Sequence, residues 1–422
     1  MAMAEKREIY VYAHWEGIQN PTHMGTLQSE RLKGKEIFSF QYDEEWLKSN
    51  QSRVLDPDLQ LYSGAHYLGD DNKLNFGMFT DSSPDRWGRI LMKRREAALA
   101  RKEGRKPQNL FETDYLLGVF DGHRMGALRF KEDRDGPFMN DNAEMASPPW
   151  ASLRELERIS LQLEKEGVVD DPEYLKWLNM LISPGASLGG ARPKASITDA
   201  EGALWIAKFP SRSDEFDIGG WEMVAYELAI QAGINMAESQ LRKFTSDQHT
   251  FMTKRFDRTP KGERTHFASA MTLLGYTDGT DHHQGASYLE LVEFLTTNGS
   301  NVNQDLEELW RRIVFSICIS NTDDHLRNHG FLLTQKGWKL SPAYDINPVE
   351  TGIGLTLNIS DEDNALDLNL ALEVSEFFRL KEEKAIEIVE EVKAVVSDWR
   401  ILADKYGLSR NEQELKASAF RV

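Results

Sequence analysis

The stretch SNTDDHLRNHG, Ser320 to Gly330, sets Asp323, Asp324, His325, Arg327, Asn328 and His329 almost side by side at the end of an apolar run. Three chemistries suit such a turn: capture of a metal ion, general-base catalysis by a carboxylate, or plain helix capping by Asn321 or Asp323. A zinc site would draw on the i, i+4 pair His325 and His329. Leu-Arg-Asn stands between them without the glutamate of H-E-x-x-H, however, and no cysteine joins them. The DGTDHH stretch, Asp278 to His283, sits in a polar loop and is an equally poor metal candidate.

Phosphoryl transfer from ATP accounts for more of the chain. In order come a glycine-rich turn (GASLGGARPK), Lys208 in a strand-like run, an acid on a helix, the D-x-H-x-x-N motif of Asp323, His325 and Asn328, and Asp345 twenty-two positions after Asp323. The transferred group is strongly negative, so catalysis amounts to positioning and charge neutralisation. Backbone amides of a glycine turn approach phosphates closely, an ammonium grips them, and a second acid holds that ammonium. One carboxylate and one amide oxygen suit Mg²⁺, a hard cation, while another carboxylate takes the proton of the attacking hydroxyl.

Each piece alone has a structural explanation. The glycine turn matches neither G-x-G-x-x-G nor G-x-x-x-x-G-K-[ST]. Lys208 could guard a sheet edge, Glu222 could favour a helix N-terminus, and SPAYD could be a turn. The ordered set carries the reading. It leaves the substrate open, because D-x-H-x-x-N also occurs in phosphoinositide-type kinases; ordinary protein kinases place the histidine before the aspartate.

The elements expected to position these groups fall into three regions. Residues 1–135 open with strand-like pieces (IYVYAHW, MGTL, FSFQYD) and continue into a helix expected to start at Ser83 with Pro84 at its first position. The polar KEDRDGPFMNDNAEMASPPW reads as a linker. Residues 151–256 hold a helix, then a hairpin of KASIT and ALWIAKF around DAEG, then the amphipathic WEMVAYELAIQAG, where Gly233 suits a helix C-terminus. Residues 257–422 are mainly helical. There Leu306, Leu309, Trp310, Ile313, Val314 and Ile317 recur at three-to-four spacing, and GFLL and WKLSPAYD form a hairpin that brings Asp345 back towards Asp323.

At 422 residues the chain exceeds one hydrophobic core, and its 40% apolar, 28% charged composition is that of a folded protein. A net charge of −18 opposes direct DNA binding. The exception is KRREAALARKEGRK, Lys93 to Lys106, with seven basic residues; a solvated helix end or a face for an acidic partner both suit it. The single cysteine, Cys318, rules out a disulfide scaffold and suits a reducing cytoplasm. Neither a signal peptide nor a run of the roughly 20 apolar residues that span a bilayer is evident, so a cytoplasmic protein without a membrane role is expected.

The sequence resembles the HipA family of bacterial serine/threonine kinase toxins through SLGGARPKASI, LWIAKFPS, KRFDR, SNTDDHLRNHGFLL and LSPAYDINP. Weaker similarity in GTL, FSFQYD, the segment Asp81 to Arg89 and LLGVFDGHRMGAL extends it over most of residues 8 to 350. The resemblance implies an α+β, bilobal protein-kinase-like fold with a small β-rich N-terminal subdomain (1–135), an N-lobe-like region (151–256) and a mainly helical C-lobe (257–422). By position it makes Asp323 the catalytic base with His325 beside it, and Asn328 and Asp345 the Mg²⁺ ligands. Gly189, Gly190, Ala191, Arg192, Pro193 and Lys194 would form the phosphate loop, and Lys208 would contact ATP, with Glu222 or Glu227 as its acid. Lys254, Arg255 and Phe256 would line the adenine side, with Tyr344 next to the nucleotide. Ser187 would be the autophosphorylated serine that switches the enzyme off. The family further implies a HipB-like DNA-binding antitoxin, DNA contact only through it, and a protein target in translation such as an aminoacyl-tRNA synthetase. The rival readings are a small-molecule or lipid kinase and a catalytically silent corepressor or binding module.

Overall fold

The computed structural model describes residues 5–32, 34–141, 148–182, 190 and 192–422. The fold is mixed α/β with a β-rich N-terminal part. The chain divides into two compact units, Met1–Ala207 with Asp257–Thr277, and Lys208–Phe256 with Asp278–Val422. The first unit is therefore completed by a segment that follows part of the second. These boundaries mark compactness, whereas the three regions read from sequence mark composition.

In the first unit, alternation of apolar and polar residues builds an antiparallel five-stranded sheet. Its order is Ala65–Tyr67, Lys35–Tyr42, Thr22–Leu32, Glu5–Ala13, Leu128–Lys131. Phe38, Phe40 and Tyr42 turn to the buried side while Ile37, Ser39 and Gln41 turn away, the period of two that a half-buried strand requires. Phe79 packs against Phe40 and Phe130 with ring centroids 5.7 and 5.9 Å apart. Burying each such ring contributes about 1.5–3 kcal/mol. Gly25, in the GTL piece, is required by close approach: a Cβ there would stand 2.4 Å from Gln41 O on the neighbouring strand.

The helix after this sheet runs Arg86–Glu103, and its start differs from expectation. Asp85 is the N-cap, accepting from Gly88 N at 2.9 Å, while Ser83 Oγ donates to Phe79 O and so closes the preceding turn. Pro84 therefore precedes the cap. A charged acceptor that also holds a lysine outcompetes a serine hydroxyl for this role. The basic run on the helix is partly neutralised: Arg105 pairs with Glu96 and Glu103, Arg101 pairs with Asp170, and Arg94 donates to Leu163 O. The later segment seals the unit, with Ser269 N donating to Asp81 Oδ2 at 2.7 Å and Gly126 N to Asp257 Oδ2 at 2.9 Å.

The second unit is built on the helix Val302–Cys318. Leu306, Leu309, Trp310, Ile313, Val314 and Ile317 are all buried, as their spacing requires. Trp310 Nε1 donates to Ala371 O at 3.0 Å, so even its polar edge is satisfied. Cys318 is buried at the end of this helix, and desolvation pushes its thiol up to about 12. The helix Ile218–Gln231 packs its Trp221, Val224, Ala225, Leu228 and Ala229 inward, and Gly233 follows it at φ +81°. Gly330–Thr334 and Gly337–Leu340 form the expected hairpin, with Phe331 opposite Leu340 and Thr334 opposite Gly337. Among the described residues no helix is long and apolar enough to cross a membrane.

Candidate active site

The helix Val302–Cys318 ends in Ile319 and Ser320, and Ser320 takes a left-handed φ of +49° that redirects the chain. Asn321, expected as a possible cap, instead stitches the turn together. Its Nδ2 donates to Ser316 Oγ at 3.3 Å, and its Oδ1 accepts from Asn347 N at 3.1 Å. Leu326–Asn328 then forms a single tight helical turn. Within it His325 N donates to Asp323 O at 3.0 Å, and Asn328 Nδ2 donates to the same oxygen at 2.9 Å. The motif is thus a closed loop whose spacing is fixed by its own side chains. Asn328 Oδ1 is left buried without a hydrogen-bond partner.

Asp323 is exposed. Crowding by protein raises its carboxyl above the ordinary value, His325 opposes this, and the charges of Asp345 and Asp324 add to it; water screens the effect. Asp324 behaves differently. It is buried, accepts from Tyr288 Oη at 2.5 Å and lies 3.1 Å from His329 Nε2. Burial alone would raise its carboxyl, but His329 and Tyr288 hold it below the usual range. The Tyr288 and His329 rings meet edge to face at 5.6 Å. His329 Nε2 therefore faces a carboxylate. The grouping of three potential metal ligands found among the described residues is Asp281, His282 and His283, which excludes both His325 and His329.

Lys208 closes the strand Leu204–Lys208, whose residues are largely buried. Its ammonium lies 2.5 Å from Glu222 Oε1 and 2.5 Å from Asp345 Oδ1. Burial works against the charge, but Asp345 and Glu222 outweigh it and hold the lysine protonated. The helix acid is Glu222. Glu227 faces elsewhere, pairing with Lys405 at 2.7 Å and accepting from Tyr406 Oη. Asp345 reaches Lys208 from a left-handed residue at φ +58°, a conformation rare for non-glycine residues that local hydrogen bonds must maintain.

Of the residues expected on the adenine side, Phe256 stands 5.5 Å from the Tyr344 ring, and Tyr344 Oη donates to Arg327 O at 2.7 Å. Arg255 is buried, while Lys254 turns to Glu238 at 3.0 Å. The loop beyond Asp345 presses on the motif: a Cβ on Gly352 would stand 2.2 Å from Thr322 Cγ2, and Thr356 Oγ1 donates to Thr322 O at 2.7 Å.

In the first unit, Lys194 Nζ donates to Asp85 Oδ2 at 2.8 Å and to Gly190 O at 3.0 Å, and Trp87 Nε1 donates to Lys194 O at 3.1 Å. Pro193 is buried and Arg192 half-buried. Ser187, Gly189 and Ala191 lie outside the described residues. Sequence reasoning missed Tyr288, Asn347 and the structural role of Asp324. The doubled aspartate was the available signal: Asp323 is exposed and Asp324 buried.

Residues 186–399 match the family model of the HipA-like C-terminal domain. A putative kinase of Haemophilus influenzae is 28% identical over 207 residues, covering 43% of this chain and 60% of that protein. The putative kinase Y4dM of Sinorhizobium fredii is 29% identical over 160 residues, covering 35% of this chain and 38% of its own. The chain thus spans less than two thirds of either relative. Among solved structures, HipA of Shewanella oneidensis MR-1, in complex with HipB and operator DNA, superposes with a TM-score of 0.66 at 17% identity. The match covers 97% of this chain and 94% of that one, a likeness of fold. With half of its length matched by the family model, this chain belongs to the HipA-like C-terminal domain family.

Proposed function

We propose that the protein is an ATP- and Mg²⁺-dependent serine/threonine kinase, acting as the toxin of a bacterial toxin–antitoxin pair. The observation that carries this reading is the shared ammonium of Lys208, 2.5 Å from both Glu222 and Asp345, in the unit that also holds Asp323. In this reading Asp323 accepts the proton of the attacking hydroxyl, and its raised carboxyl favours that task. Lys208, kept charged by its acids, holds the phosphates. Tyr344 and Phe256 offer paired ring faces beside Lys254 and Arg255 for the adenine. Asn328 and Asp345 fit a hard cation, because Asn328 Oδ1 is a buried oxygen lacking a hydrogen-bond partner and Asp345 supplies a carboxylate. Mg²⁺ held there would neutralise phosphate charge. His325 lies at the head of the same turn. Gly189 to Lys194 belong to the phosphate loop, and Ser187 is the serine on which the enzyme phosphorylates itself.

The proposed partner is a HipB-like DNA-binding protein. The HipA of similar fold is found with HipB and its operator, and a chain of net charge −18 is better suited to reaching DNA through such a partner than alone. The proposed target is a protein of translation such as an aminoacyl-tRNA synthetase, and the proposed compartment is the bacterial cytoplasm. Incubation of the pure protein with Mg²⁺, γ-labelled ATP and cell extract tests the reading. Label on a protein band, lost in Asp323→Asn, is expected. Label confined to metabolites would instead indicate a small-molecule kinase, and no label at all a silent binding module.

A further inference from the structure

Residues 409–422 lie outside the stretch that matches the family, yet they touch the backs of three parts of the site. Arg421 Nε donates to Ser320 Oγ at 2.9 Å, and Arg421 N donates to Cys318 O at 2.7 Å. Ser320 is fully buried, left-handed, and the point where the core helix hands over to the Asp323 turn. Its own carbonyl accepts from Val349 N at 3.2 Å, which ties it to the chain beyond Asp345. Lys416, itself buried, donates to Pro348 O at 3.2 Å and pairs with Glu350 in that same chain. Phe420 stacks on Trp399 with centroids 4.2 Å apart and planes 5° apart, and it lies 6.1 Å from Trp221, the neighbour of Glu222.

We infer that residues 416–421 are a positioning clamp, in which Arg421 fixes Ser320 and Lys416 fixes residues 348–350, so that Asp323 and Asp345 keep their mutual register. The consequence for rate rests on the kinase reading above; the restraint on the turn does not. A left-handed serine is not self-sustaining, because L side chains favour other backbone wells. The buried hydroxyl bonded to a guanidinium supplies a reason to stay. Without that bond the chain from Ser320 to Asp323 relaxes, and a displacement of about 1 Å at a reacting group costs on the order of 100-fold in rate.

The test compares wild type with Arg421→Ala, Arg421→Lys, Lys416→Met and the control Lys336→Ala, at an exposed position in the turn of the 330–340 hairpin. The readouts are kcat and KM for ATP and amide hydrogen exchange over Ser320–His325. Arg421→Ala is expected to lower kcat by about tenfold or more while KM for ATP stays within about threefold. Exchange over Ser320–His325 should rise, and Arg421→Lys, which keeps a donor, should retain an intermediate rate. If Arg421→Ala does not fold, Lys416→Met carries the same expectation. A folded Arg421→Ala with wild-type kcat overturns the clamp, as does a loss equally present in Lys336→Ala. If wild type itself transfers no phosphate, the kinase reading fails, and exchange alone then decides the clamp: unchanged exchange in Arg421→Ala overturns it.

Discussion

Lys208 and Asp345 are 137 positions apart in the chain and 2.5 Å apart in space. Their contact sets the end of a buried strand against the residue that follows a hairpin, and Glu222 secures the same ammonium from a helix. Three elements with unrelated local reasons to form thus converge on one charge. Two buried or half-buried carboxylates on one lysine are costly to assemble unless the lysine stays charged, so the arrangement holds a cation ready for an anion.

The helix acids give a discriminating pair of variants. Glu222→Gln removes the carboxylate that orients Lys208 and should lower kcat by on the order of 10²-fold. Glu227→Gln, whose partners are Lys405 and Tyr406, should leave kcat within about twofold. Steady-state phosphotransfer assays on both decide it; equal losses would remove Glu222 from the site.

Asp323→Asn should cost on the order of 10²–10⁴ in kcat with unchanged circular dichroism. The wild-type pH profile should show an acid limb, because the base works only when deprotonated. Since its carboxyl is raised above the ordinary 3.8, that limb should lie on the alkaline side of 3.8. A profile that stays flat down to pH 4 would remove Asp323 from the role of base.

Asn328→Ala should raise the Mg²⁺ concentration needed for half-maximal rate by roughly tenfold or more. The orphaned Oδ1 would be gone while the acids remain. A Mg²⁺ titration of the variant beside wild type reads this directly, and superimposable curves would place the cation elsewhere.

Tyr288→Phe should destabilise the fold by about 1–3 kcal/mol, since it leaves one oxygen of buried Asp324 without its donor. Urea unfolding gives the difference. An unchanged midpoint would show that water or His329 replaces the phenol.

Asp56 offers a pH test of stability. It is buried, which pushes its carboxyl up to about 6 despite backbone donors at Asp58 and Met78. Between 3.8 and 6 the folded protein keeps a proton that the unfolded chain releases, so this group's contribution is present below that window and lost as pH rises through it. Wild type should therefore lose about 3 kcal/mol relative to Asp56→Asn between about pH 3 and about pH 7. Parallel stability curves for the two proteins would show that Asp56 titrates normally.

Much of this was legible in the residues. The spacing of Leu306 to Ile317 gave the core helix, because a buried stripe repeats every three to four residues whatever surrounds it. The hairpin 330–340 followed from turn chemistry, and with it the return of Asp345. What escaped depends on tertiary partners. Glu222 and Glu227 share a helix and differ only in what lies opposite them. The helix start moved from Ser83 to Asp85, whose second carboxylate oxygen is held by Lys194, 109 positions onward, a partner no local pattern reveals. Tyr288 touches Asp324 across 36 positions, and no local pattern announces it.

The break in the first unit has a consequence for synthesis. A ribosome releasing the chain from its amino end delivers the five-stranded sheet long before residues 257–277, which bring Ser269 to Asp81 and Asp257 to Gly126. For the time taken to translate the intervening fifty or so residues, the nascent front must wait with its acceptors unfilled and apolar surface bare. Such a pause invites chaperone attention, and it makes any cut at residue 207 a poor place to divide the polypeptide.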